Sequence, residues 1–191
     1  MTYAEHFRPV QTRRAAFYDV GLVIGGSLLI AASAQVSVHL PFSPVPVTGQ
    51  TFAVLLVGAL LGWQRGMLAV LAYLMQGLAG LPVFAGGLAG PMVLLGPTGG
   101  YLIGFVAAAG LTGWLAQRGW DRHNGSMLLA MLLGSAAIYL FGVPRLAAFV
   151  GWDVALTAGF WPFLIGDVVK AVLAMLLLPL GWRLLAGQGT D

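Results

Sequence analysis

Asp167 and Lys170 are the two residues of this chain best suited to chemistry. They stand three positions apart in the last long apolar run, within Phe160-Trp161-Pro162-Phe163-Leu164-Ile165-Gly166-Asp167-Val168-Val169-Lys170. On a helix that spacing puts a carboxylate and an ammonium on one face. Charges inside an apolar segment are rare and mark a functional site by default. Together they can meet a ligand that carries both donors and acceptors. The competing structural reading is a pair that neutralises itself inside a bundle.

A second set of groups comes from glycine-rich and proline-rich turns. Gly96-Pro97-Thr98-Gly99-Gly100 opens a helix, and Tyr101 adds a ring and a hydroxyl. Glycine allows close approach of the backbone to a ligand, and free N–H groups at a helix N-terminus favour an anion. A plain turn feeding a helix is the alternative. It is not a nucleotide loop, because the Gly-Lys-Ser/Thr ending is missing. Thr48 and Gln50 offer neutral donors and acceptors from a facing loop, and Gly86 and Gly87 mark a third irregular stretch beside Phe84. Phe42, Phe84, Phe160 and Trp161 serve equally well as ligand walls or as interfacial-belt aromatics. No enzyme constellation emerges. His6, His39 and His123 fall on different sides or in tails, Ser135 sits mid-helix with no matching base, and Asp153 and Asp167 are not spaced as a catalytic pair. The expectation is therefore no catalytic residue, no metal and no cofactor, and a binding or transport protein rather than an enzyme.

The elements that must position these residues are membrane elements. The chain has 191 residues, 59% hydrophobic and 8% charged, against about 25% charged in a soluble domain; mean hydropathy is +0.91. An all-α integral membrane protein in contact with lipid follows. A net charge of +3 is too small a surplus to suggest nucleic acid, and the absence of cysteine excludes disulfides and thiolate metal sites. Residues 1–17 read as an N-terminal tail on a membrane surface, ahead of six apolar runs at about 20–38, 47–63, 66–80, 101–116, 127–143 and 161–182. Ala32-Ser33-Ala34 resembles a signal-peptide cleavage site, but five further runs favour a retained first helix. His39 to Gln50 holds three prolines and reads as an extended loop. Residues 81–100 are apolar yet too rich in Gly and Pro for one helix, and such backbone is tolerated at membrane depth only where protein or a cavity covers it.

With the N-terminus inside, the inner side holds seven arginines (8, 13, 14, 65, 118, 122 and 183) and the outer side only Arg145. That split satisfies the positive-inside rule and puts both termini in the cytoplasm. Both irregular loops and the start of the sixth run then lie outside, with Asp167 and Lys170 beneath them, as in a pocket opening outward.

At these motifs the chain resembles the BioY family, the biotin-binding S components of energy-coupling-factor vitamin transporters. The resemblance spans roughly Leu22 to Leu178. It rests on Pro41-Phe42-Ser43-Pro44-Val45-Pro46-Val47-Thr48 with Gln50-Thr51-Phe52, on Gly80-Leu81-Pro82-Val83-Phe84-Ala85-Gly86-Gly87, on Leu95-Gly96-Pro97-Thr98-Gly99-Gly100-Tyr101, and on Pro162-Phe163 followed by Gly166-Asp167 and Lys170. It implies a six-helix S-component bundle in the cytoplasmic membrane with an outward-facing site that captures biotin as transported ligand. It implies that Asp167, Lys170 and the Gly-Gly-Tyr turn help bind it. It also implies partners, a transmembrane coupling subunit and two ATPases that alone use ATP; no nucleotide-binding motif occurs in this chain. Some members carry a polar residue after the Gly-Gly of the third loop and a basic one after the Gly-Gly-Tyr, where this chain has Leu88 and Leu102. In the first run the small pairs Gly21/Gly25, Ser27/Ala31 and Ser33/Ser37 allow close helix approach, and Ser27 and Ala31 are the expected docking face for the coupling subunit. Biotin's ureido N–H groups suit a carboxylate acceptor, its acid end or ureido carbonyl suits an ammonium, and its body suits apolar loops. An S component for a different vitamin, a membrane enzyme and a ligand-free structural subunit are the alternatives.

Overall fold

The structure, a computed structural model, describes residues 2–187 and is mostly helical. In chain order the helices are α1 (Tyr3–His6), α2 (Thr12–Gln35), α3 (Gln50–Leu61), α4 (Trp63–Leu78), α5 (Pro91–Leu95), α6 (Gly99–Gln117), α7 (Asn124–Val150), α8 (Trp152–Gly159) and α9 (Trp161–Gly187). Single 3₁₀ turns lie at Ala85–Gly87 and Trp120–Arg122. Four helical stretches are long and apolar enough to cross a membrane: Thr12–Gln35, Gly99–Gln117, Asn124–Val150 and Trp152–Leu185. The α3–α4 hairpin is shorter. Its 12 and 16 residues reach about 18 and 24 Å, less than the roughly 30 Å hydrocarbon core.

Helix α6 is the centre, packed on α3, α4 and α7, while α2 covers α4 and α9 covers α7. Between helices in lipid, close packing rather than the hydrophobic effect drives association, and glycines permit it here. A Cβ on Gly104 of α6 would lie 2.9 Å from the Ile138 carbonyl oxygen of α7, and one on Gly66 of α4 would lie 2.9 Å from the Gly58 Cα of α3. The fold in the α3–α4 hairpin is made by Gly62 at φ +84°, a conformation open to glycine.

Several boundaries differ from the sequence expectation. The expected tail is not a tail: α1 docks on the bundle, with Thr2 and Ala4 buried, and α2 begins at Thr12. The Tyr3 ring stacks 4.4 Å from that of Trp182, and its hydroxyl donates to the Leu178 carbonyl at 2.5 Å. The second run starts at Gln50 because residues 47–48 form a strand. That strand pairs antiparallel with Ser37–Val38, Ser37 opposite Thr48 and Val38 opposite Val47. Pro41, Pro44 and Pro46 cannot continue a helix, so the chain between the strands loops out and returns. Helix α7 continues through Pro144 to Val150, past the expected end of the fifth run at 143, and α8 follows it before the sixth run.

Candidate functional site

Two irregular segments and four helices enclose a cavity of about 450 Å³. The proline loop contributes His39, Pro44, Val45 and Pro46. The stretch between α4 and α6 contributes Phe84, Leu88, Met92 and Thr98, among others. The helices contribute Gln50 and Thr51 of α3, Tyr101, Leu102 and Phe105 of α6, Ile138 and Tyr139 of α7, and Phe163 and Lys170 of α9. The lining grades from a wet end to a dry one: His39, Leu88 and Met92 are exposed, whereas Phe105, Ile138 and Phe163 are buried. Small-molecule sites of about 300–1,000 Å³ have this mostly apolar character with few placed polar groups.

Lys170 is the fixed cation of the cavity. Its ammonium donates to the Thr51 hydroxyl at 2.6 Å and the Thr48 carbonyl at 3.1 Å, and lies 3.4 Å from Asp167 Oδ1. The other Asp167 oxygen accepts a hydrogen bond from the Tyr139 hydroxyl. Asp167 is buried and is not among the cavity-lining residues; it stands behind Lys170 and Tyr139. It faces instead a second, apolar cavity of about 470 Å³ between α7, α8 and α9, whose wall it shares with Tyr139. Helical spacing thus puts Asp167 beside Lys170 as expected, but its contact with the first cavity runs through its two partners.

The remaining expected residues divide. Thr48, Gln50, Phe84 and Tyr101 line the cavity. Gln50 is fixed at both ends: its amide N–H donates to Tyr73 at 2.5 Å and its oxygen accepts from the Thr48 hydroxyl at 3.3 Å. The Tyr73 ring packs edge-on against Phe84 at 5.5 Å, which holds that wall in place. The Tyr101 hydroxyl donates to the Gly159 carbonyl at 2.9 Å, so its ring rather than its hydroxyl is offered. Gly86 lies under the His39 ring, and Gly87 is exposed with open space around it. Gly99 and Gly100 are buried, and the space outside their Cα atoms is filled by the Leu94 carbonyl and by Phe141 and Arg145 of α7. They are packing glycines in this fold. Tyr139 and Thr51 were missed; a hydroxyl inside the apolar run of α7 was the available signal for Tyr139.

Ser27 and Ala31 do not form an open face. Ser27 is fully buried, donates to the Ile24 carbonyl at 2.8 Å and accepts from Gln76 of α4 at 3.1 Å, and Ala31 is buried with it. Their small size brings α2 onto α4, where a Cβ on Gly26 would already lie 3.0 Å from Ala69. The small pair of α2 with open space beside it is Gly21/Gly25. Among the described residues no group of three or more His, Cys, Asp or Glu converges to hold a metal.

Comparison with known proteins agrees across three measures. A family model described as the BioY family matches residues 8–187. The chain is 42% identical over 159 residues to a probable biotin transporter BioY of Pyrococcus horikoshii, covering 83% of this chain and 93% of that protein. It is 41% identical over 152 residues to the biotin transporter BioY of Thermotoga maritima, covering 78% and 86%. In fold it matches the crystal structure of the S-component for biotin from an ECF-type ABC transporter, with a TM-score of 0.79 over 91% of this chain and 95% of that one at 24% identity.

Proposed function

The chain belongs to the BioY family, and from that premise we propose that it captures biotin in the cavity built around Lys170 and serves biotin uptake across a membrane. It is a transport protein, not an enzyme. The observation that carries the reading is the cavity itself: vitamin-sized, apolar, and furnished at one wall with a single ammonium held by Thr48, Thr51 and Asp167. In this reading biotin's bicyclic body lies against Phe84, Tyr101, Phe105 and Phe163. Its ureido group meets the polar wall of Thr48, Thr51, Tyr139 and Lys170. Asp167 acts by positioning Lys170 and Tyr139. Titration calorimetry of the purified protein with biotin and with unrelated vitamins tests this. Saturable heat with biotin alone is expected; heat with another vitamin and none with biotin would overturn it.

The same reading supplies a topology and partners. We infer that the protein lies in the cytoplasmic membrane, that α3 and α4 complete a six-helix crossing, that both termini are cytoplasmic, and that a transmembrane coupling subunit with ATPases energises release. The seven-to-one arginine split supports the orientation. The chain has no cysteine, so single cysteines report cleanly. In intact cells a membrane-impermeant maleimide is expected to label Phe42→Cys and to spare Asn124→Cys; the opposite pattern would reverse the topology.

A further inference from the structure

The cavity has a fixed cation at one wall and an imidazole at its rim. Lys170 is already engaged by Thr48, Thr51 and Asp167. The other ionisable lining groups are His39, Tyr101 and Tyr139. Both phenols are committed as donors, Tyr101 to the Gly159 carbonyl and Tyr139 to Asp167. Arg145 of α7 is not part of the lining: its guanidinium donates to the Leu95 and Gly96 carbonyls and lies 5.1 Å from the Phe149 ring centroid. That leaves His39 as the lining residue with an uncommitted imidazole. It sits at the exposed end, and its ring lies over Gly86, where an added Cβ would come within 3.4 Å of Cε1. The Ala85–Gly87 turn beneath the ring carries no ionisable group. The strand pair Ser37–Val38 with Val47–Thr48 anchors the base of the loop that holds it.

We propose that His39 is the receptor for the ligand's carboxylate, so that an anionic tail leaves the cavity past the Leu88 and Met92 rim and ends on the imidazole N–H. This rests on the biotin reading above. A carboxylate is most stable at the wet end of such a cavity, where it keeps part of its hydration, and the neutral ureido group tolerates the dry end. A hydrogen bond to the carboxylate worth about 1 kcal/mol corresponds to roughly a fivefold change in affinity.

The test is titration calorimetry of the full chain in detergent with biotin and with biotin methyl ester. The wild type is expected to bind biotin about fivefold more tightly than the ester. His39→Ala should bind biotin and ester alike. His39→Lys should restore the preference for biotin, which separates a lost contact from a disturbed loop. Equal wild-type affinities for biotin and its ester, or an unchanged preference in His39→Ala, would overturn the proposal. Failure of the wild type to bind either compound would sink the biotin reading instead.

Discussion

Two carboxylates are buried in the described part of this molecule, one toward each end of α9, and they are furnished in opposite ways. Asp167 uses both oxygens: Lys170 stands at 3.4 Å from one and the Tyr139 hydroxyl donates to the other. Asp121, in the turn between α6 and α7, uses one. Its Oδ2 accepts from the Trp182 indole N–H at 2.6 Å, while its Oδ1 has no hydrogen-bond partner. Trp182 lies fifteen residues beyond Asp167, or about 22 Å along a helix axis. Burial pushes the Asp121 carboxyl above the ordinary carboxylate range, against the Trp182 hydrogen bond and the nearby Arg122 charge. Burial and the Asp121 charge together push the Tyr3 phenol up to about 12. A balanced charge beside a cavity and a half-satisfied one sealed under α1 teach different things. The first is an arrangement that fixes a neighbouring ammonium at a cavity wall. The second closes the bundle end with an acid whose charge the fold disfavours.

The sharpest way to break the comparison is to unbalance the balanced end. Asp167→Ala leaves Lys170 as a half-buried charge without its counter-ion, and breaking a buried pair costs up to about 3–5 kcal/mol. Biotin affinity should fall at least tenfold alongside. Asp167→Asn with Lys170→Met removes both charges and should recover most of the stability in thermal unfolding without recovering binding. If that double variant folds well and binds biotin normally, the pair is structural and the two ends of α9 are alike.

The pair itself was legible because two charges at helical spacing in an apolar run stand out against their background. The partners were not, since they come from elsewhere in the chain. Tyr139 lies 28 residues before Asp167, and Thr51 lies 119 before Lys170. No local pattern announces a contact whose geometry is set by how α7 and α3 pack on α9. The glycines of the Gly99-Gly100 turn misled for a related reason. A glycine required by a neighbouring helix and one required by a ligand look identical until the neighbour is in view. Ser27 and Ala31 show the same ambiguity: small spacing signals close packing, but not whether the partner is α4 or another subunit. At the far end, the docking of Thr2 to His6 depends on Tyr3 meeting Leu178 and Trp182, again a distant pairing.

A smaller effect is expected one step behind the ammonium. Tyr139→Phe keeps the ring, and its edge-on packing with Phe160 at 4.9 Å, but removes the donor to Asp167. Leaving a buried charged acceptor short of one bond costs about 1–3 kcal/mol. Because Asp167 then has freedom to move, Lys170 should lose its fixed position, with a decrease in biotin affinity of roughly tenfold. Unfolding and titration measured together decide the matter. A stability loss with unchanged affinity would mean that Tyr139 belongs to the scaffold and not to the site.

The smallest effect belongs to the other end and concerns pH. Asp121 has a folded-state pKa above its unfolded value, so the folded state holds a proton that the unfolded chain has released. Its favourable contribution is complete below the ordinary carboxylate pKa of about 4. It is lost as pH rises through the raised folded value. Asp121→Asn keeps an acceptor for the Trp182 indole and adds N–H donors in place of the charge. The variant should therefore match or fall below the wild type in acid and exceed it at pH 8. The gain there is about 1 kcal/mol, or roughly 2–4 °C in melting temperature for a chain of this size. The measurement is the difference in melting temperature between variant and wild type across pH 4.5 to 8 in one detergent. A difference that does not change with pH, or a variant less stable at pH 8, would show that Asp121 is as well accommodated in charged form as Asp167. Biotin affinity should not move in either case, since Trp182, the partner of Asp121, lies twelve residues beyond Lys170, about 18 Å along the helix axis.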